Sequence, residues 1–252
     1  MLRRCAGLEE LGRAAAEEVR QAAAAAVAAR GRFALALSGG ETPRGLYRLL
    51  VTEPWRGRVD WERAELFWGD ERAVPPDDPG SNYRLAEAEL IRPLGIPAGR
   101  VHRIPAERGA AAAAEEYERE LGRVLGPGAG AGGPPPLDLL LLGMGPDGHV
   151  ASLFPGSAAL AERRRWVVPA AGPPPWPERV TLTAPVLAAA RRALVLVAGA
   201  PKAEALAAVL RGPRDPRRLP AQLLLDGGER VLWLVDQSAA ARLDARDAET
   251  RS

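Results

Sequence analysis

Four times in this chain a short, largely apolar run breaks off at a glycine-bearing turn that carries polar or charged residues. FALAL (33–37) ends at Ser38-Gly39-Gly40, and AELFW (64–68) at Gly69-Asp70-Glu71-Arg72. LDLLLL (137–142) ends at Gly143-Met144-Gly145, and ALVLVA (193–198) at Gly199-Ala200-Pro201-Lys202. A fifth run, VLWLV (231–235), ends at Asp236. Between them lie stretches of helical character: the Ala-rich Leu11–Arg30 closed by Gly31, the RGLYRLL segment after Pro43, Tyr83–Leu90, Ala110–Leu125 and Lys202–Leu210. Strands alternating with helices predict an α/β class fold, a doubly wound, mostly parallel sheet with helices on both faces in a modified Rossmann-like arrangement. Ligands of such sheets sit at the carboxyl ends of the strands, where these turns fall.

Composition narrows the classes of function. With 47% hydrophobic and 26% charged residues in 252, the chain is ordinary globular material, and a formal charge of +2 is too small to argue for nucleic acid. Cys5 stands alone and the only histidines are His102 and His149, so neither a disulfide framework nor a Cys/His metal site is expected. The first residues, MLRRCAGLEELGR, are basic without the apolar core of a secretory signal, and no run is long enough to span a bilayer, so a cytoplasmic protein is expected. Arginine abundance reads as coding bias, since Lys202 is the only lysine. The stretches GPGAGAGGPPP (126–136) and GPPPWP (172–177) resemble linkers, but the segment between them is too small for its own core. They are expected to be loops of a single domain spanning 1–252, with a monomer favoured.

Several turns carry groups suited to chemistry. Ser38, Gly39, Gly40 and Thr42 place flexible backbone and two hydroxyls at a helix N-terminus, a phosphate site or simply a tight turn. The Gly143–Gly148 stretch fits G-x-G-x-x-G, but Glu162 precedes the next apolar run instead of ending it, which counts against a dinucleotide site. His149 directly follows that turn, as a general base or as a structural cap. Asp70 and Arg72 put both charges after a strand, where a carboxylate can orient a histidine and a guanidinium can meet an anion, or the two form a surface pair. Ser81 and Asn82 begin a helix as caps, with Asn82 also able to face a sugar hydroxyl. Lys202 sits at the start of another helix, where an ammonium and helix amides together suit a phosphate. No G-x-S-x-G elbow occurs, so water is the expected nucleophile of any hydrolysis.

Taken together, SGGETPRGLY, FWGDERAVPPDDPGSNY, LDLLLLGMGPDGHVASLFPGS and GAPKAEAL resemble, in order and spacing, the 6-phosphogluconolactonase family, itself similar to the glucosamine-6-phosphate isomerases. The likeness covers about residues 33 to 210. It implies a doubly wound α/β fold and hydrolysis of 6-phospho-D-glucono-1,5-lactone in the oxidative pentose phosphate pathway. Isomerases of this superfamily carry a G-x-D-G-H-I-A-F-N-E-P type stretch whose Glu assists ring opening; here Phe154 takes that place, and the first loop reads SGG instead of TGS. The resemblance therefore implies a lactonase. His149 would activate water, Asp70 hold or polarise the site, and Arg72 stabilise negative charge. The Ser38–Thr42 loop and Lys202 would anchor phosphate, with Asn82 among the substrate contacts. No metal or organic cofactor is implied, because a lactone is already an activated ester. A sugar-phosphate isomerase or deaminase and a non-catalytic sugar-phosphate binder stand as the alternatives.

Overall fold

The computed structural model describes residues 1–126, 128 and 133–243. Of the 126–136 stretch, residues 127 and 129–132 lie outside them. Its principal layer is a six-stranded sheet built from β1 (Leu2–Cys5), β2 (Phe33–Leu37), β3 (Ala64–Trp68), β5 (Leu139–Gly143), β8 (Ala193–Val197) and β9 (Val231–Asp236). The order is β1-β9-β8-β5-β2-β3, with every neighbouring pair parallel. All residues of β2, β3 and β8 are buried, as expected of strands covered on both faces. From β2 the chain steps outward to β3, whereas from β5 it proceeds the other way through β8 to β9. The order thus reverses between β2 and β5, the place where open α/β sheets leave a crevice.

A second, antiparallel sheet has the order β4-β7-β6, from β4 (Asp70–Arg72), β6 (Val167–Ala171) and β7 (Glu178–Leu182). The chain crosses from one sheet to the other at Gly69, whose N–H donates to Leu37 and whose carbonyl accepts from Leu182 (3.0 and 2.9 Å). GPPPWP (172–177) is the loop joining β6 to β7. β6 begins in the apolar run after Glu162, whereas β1, β4 and β7 answer to none of the runs singled out in the sequence.

Helices follow the expected stretches with shifted ends. α1 is Leu8–Arg30, starting earlier than its Ala-rich pattern because Glu10 reaches back to the N–H of Ala6 (2.8 Å), and ending at Gly31 with φ 71°. α2 is Glu41–Leu50. α3 (Asn82–Ala86) runs through a π turn at Glu87–Ile91 into α4 (Arg92–Leu94). α5 (Ala110–Leu125) has the predicted limits, α6 (Ala184–Ala189) is short, and α7 (Ala203–Arg211) follows a 3₁₀ turn at Ala200–Lys202.

Two buried tyrosines fix the ends of adjacent strands. Tyr47 of α2 accepts from the N–H of Ser38 (3.0 Å) and donates to its carbonyl (2.7 Å); Tyr117 of α5 does the same for Trp68 (2.7 and 3.0 Å). Burial pushes both phenols well above the ordinary tyrosine range, so they remain donors at any physiological pH. The loops after β2 and β3 leave from backbone held by helices behind them.

Candidate active site

At the switch point a cavity of about 230 Å³ gathers the loops after β2 and β5 with the antiparallel sheet. Ser38, Gly39, Gly40, Asp70, Arg72 and Asn82 all line it, as do His149 and Lys202. Thr42 is the one expected site residue that does not. It lies within the first turn of α2, past the loop whose backbone borders the cavity.

The loop 143–149 is folded around its histidine. Gly148 N–H donates to Gly145 O (3.0 Å) and Gly145 N–H to His149 O (2.9 Å). His149 Nδ1 lies 2.5 Å from Asp147 Oδ1. A carboxylate there assigns the proton to Nδ1 and leaves Nε2 with its lone pair. Gly145 has to be glycine: a Cβ would lie 2.1 Å from His149 Nδ1 and 2.6 Å from Asp147 Oδ1. Burial works against the Asp147 charge, but the side chain, charge and N–H of His149 together hold its carboxyl below the usual aspartate value. Phe154 packs on the imidazole, ring centroids 4.4 Å apart. Ala151, also at the cavity, has φ 49°, a left-handed conformation that costs a non-glycine residue of order 1 kcal/mol.

Asp70 is thus not the carboxylate that orients His149. Its Oδ2 accepts from the fully buried Ser152 Oγ (2.5 Å), and Asn82 Nδ2 donates to its carbonyl (2.9 Å) and Oδ1 (3.2 Å). Its other neighbour is Arg179, at 4.0 Å. Strand alternation explains the division of labour in β4: Asp70 and Arg72 line the cavity, while Glu71 accepts from Ser81 Oγ and from the N–H groups of Asn82 and Tyr83 at the start of α3 (3.0, 2.8 and 2.8 Å). Ser81 is that helix's cap, accepting from Arg84 N–H (3.1 Å).

Among the described residues, three cationic side chains reach the cavity: Arg72, Arg179 and Lys202. Arg179 is not foreshadowed by any turn motif, because it stands inside β7 and comes to the site only through strand pairing. Burial pushes its guanidinium below the ordinary arginine value, opposed by Asp70 and assisted by Arg72. Lys202 Nζ donates to the Met144 carbonyl, and burial lowers the lysine against the attraction of Asp147. Glycine is needed again at Gly39, where a Cβ would meet Asn82 Oδ1 at 1.9 Å. His102 lies elsewhere, stacked on Phe67 between Glu65 (2.8 Å) and Glu120 (2.7 Å). Among the described residues, no cluster of three or more His, Cys, Asp or Glu is arranged to hold a metal ion, and no helix is long and apolar enough to cross a membrane.

Comparison with known proteins agrees with this geometry. The family described as glucosamine-6-phosphate isomerases/6-phosphogluconolactonase matches residues 7–233. The 6-phosphogluconolactonase of Mycobacterium tuberculosis is 41% identical over 236 residues, covering 91% of this chain and 93% of that protein. That of Synechocystis is 40% identical over 219 residues, covering 86% and 88%. The structure of 6-phosphogluconolactonase from Trypanosoma cruzi superposes with a TM-score of 0.86 at 30% identity, covering 96% of each chain. A chain matched over nearly its whole length in sequence and in structure belongs to the glucosamine-6-phosphate isomerase/6-phosphogluconolactonase family.

Proposed function

We propose that this chain hydrolyses 6-phospho-D-glucono-1,5-lactone to 6-phosphogluconate, the second step of the oxidative pentose phosphate pathway, as a cytoplasmic monomer of one domain. The observation that carries the reading is the Asp147–His149 pair, whose histidine lines a cavity also reached by the cationic side chains of Arg72, Arg179 and Lys202. His149 Nε2 takes a proton from water as its oxygen attacks the lactone carbonyl carbon. The C1–O5 ring bond of the tetrahedral adduct then breaks, and the imidazolium returns its proton to the departing ring oxygen. Asp147 holds the tautomer and stabilises the transient imidazolium. Arg72, Arg179 and Lys202, with the Gly39 and Gly40 backbone, offer the countercharge for the phosphate and for the oxyanion. Asp70 serves as counter-ion to Arg179, and Asn82 keeps Asp70 and the Gly39 turn in place.

Phe154 supports hydrolysis over isomerisation. Its ring rests on His149, so the position offers no second acid to shuttle a proton between sugar carbons. The test is the rate of 6-phosphogluconate formation from lactone generated in situ, above the spontaneous background, with His149→Ala alongside. Acceleration by the wild type alone supports both activity and base. Equal acceleration by both overturns the base, and none by either overturns the function.

A further inference from the structure

Arg72 and Arg179 are direct register partners in the antiparallel pairing of β4 with β7. Like charges placed opposite one another repel, and flexible guanidiniums left to themselves would swing apart. Both are instead held by one residue of the loop after β6. The Arg72 guanidinium lies over the Trp176 ring, 5.1 Å from its centroid, while its Nη1 donates to the Gly80 carbonyl (2.5 Å). The ring presses on Gly80 so closely that a Cβ there would sit 2.4 Å from Trp176 Cε2. On its other side, the Trp176 carbonyl accepts from Arg179 Nε (3.2 Å). The loop that presents Trp176 is closed by Gly172 N–H to Pro177 O (2.8 Å). Trp176 itself does not line the cavity. Among the described residues Arg72 Nε is buried with no protein acceptor.

We propose that Trp176 is a positioning residue: its ring and its carbonyl set the aim and separation of Arg72 and Arg179, and through them the grip on the phosphate of the substrate. The inference rests on the phosphorylated lactone reading above. An aromatic face under a guanidinium is worth enough that its loss weakens an anion held by that guanidinium about three- to thirtyfold.

The test is calorimetric titration of 6-phosphogluconate into wild type, Trp176→Ala, Trp176→Phe and Gly80→Ala, with steady-state kinetics on the lactone. Trp176→Ala is expected to raise Kd and KM together by about three- to thirtyfold with kcat within about twofold. Gly80→Ala, which displaces the ring from the other side, is expected to do likewise. Trp176→Phe keeps the π face and is expected to recover most of the affinity. Unchanged Kd in Trp176→Ala, a loss confined to kcat, or a Phe variant no better than Ala would overturn the assignment. If the wild type binds 6-phosphogluconate and hydrolyses the lactone while these variants are unaltered, only the role of Trp176 falls. A wild type that does neither removes the functional reading and this one with it.

Discussion

Arg72 and Arg179 face one another across β4 and β7, and Asp70, two residues from Arg72, lies 4.0 Å from the Arg179 guanidinium. A fold that only had to be stable would not pair two arginines at the wall of a cavity. Replacing Arg72 by methionine keeps the stem and removes one charge, leaving the Asp70–Arg179 pair intact. The expected outcome is a melting temperature equal to or above that of the wild type, with affinity for 6-phosphogluconate reduced about tenfold or more. A thermal melt that drops by several degrees would show that the pair stabilises the fold instead.

Asp147→Asn tests the dyad. An amide can hand a hydrogen to Nδ1 and thereby favour the tautomer that lacks a free Nε2, so kcat should fall about 10²- to 10⁴-fold while KM and melting temperature stay near wild type. Asp70→Asn, in contrast, leaves His149 and Asp147 untouched and should act mainly on affinity. Equal kcat losses in the two variants would contradict the separation of their roles.

Gly145→Ala adds one carbon where the imidazole and the Asp147 carboxylate lie. The ring must move, so turnover is expected to fall at least tenfold with little change in global stability, read by kcat beside a denaturant melt.

The tyrosine clamps are a stability prediction. Tyr117→Phe strands the buried N–H and carbonyl of Trp68, at a cost of about 1–3 kcal/mol and a melting temperature lower by about 3–10 °C. Tyr47→Phe should behave similarly at Ser38. A loss below about 0.5 kcal/mol in both would mean that the strand ends are held by other contacts.

Lys202 carries a pH signature. Burial lowers its pKa from the ordinary 10.5, against the attraction of Asp147, so its positive charge is lost earlier than usual as pH rises. Affinity for 6-phosphogluconate should therefore begin to weaken below pH 10.5, whereas Lys202→Arg, whose guanidinium stays charged, should hold a flat profile. Titrations between neutral and alkaline pH decide it.

Much of the fold was legible because β2, β5, β8 and β9 are interior parallel strands and β3, at the far edge of the sheet, is nonetheless buried along its whole length, so all five are largely apolar. β1, LRRC, is an edge strand with two arginines, and DER, VVPAA and ERVTL form a small antiparallel sheet in which charge and proline are tolerated. Those strands carry much of what the motifs miss. His149, Lys202 and the Ser38–Gly40 turn announce themselves by following apolar runs. Arg179 has no such signal, since register with Arg72 alone brings it to the cavity. Asp147 had one, an acid two residues before the histidine in the same glycine turn, whereas Asp70, the acid expected to orient it, accepts from Ser152 instead. Thr42 looked like part of the first loop, but α2 already begins at Glu41.

The crossing of the chain at Gly69 divides the cavity between two sheets. His149 and Asp147 ride on the loop after β5, while Arg72 and Arg179 ride on the antiparallel ribbon; Ser152 to Asp70, Ser152 N–H to Thr181 Oγ1 (3.2 Å) and Leu182 N–H to Gly69 O form the seam between them. On the proposed reading the molecule works as a caliper, with one jaw at the lactone carbonyl, the other at the phosphate, and its setting locked at that seam. Acceptance of a shorter or longer sugar acid would then be retuned by residues such as Ser152 and Thr181, which touch neither end of the substrate.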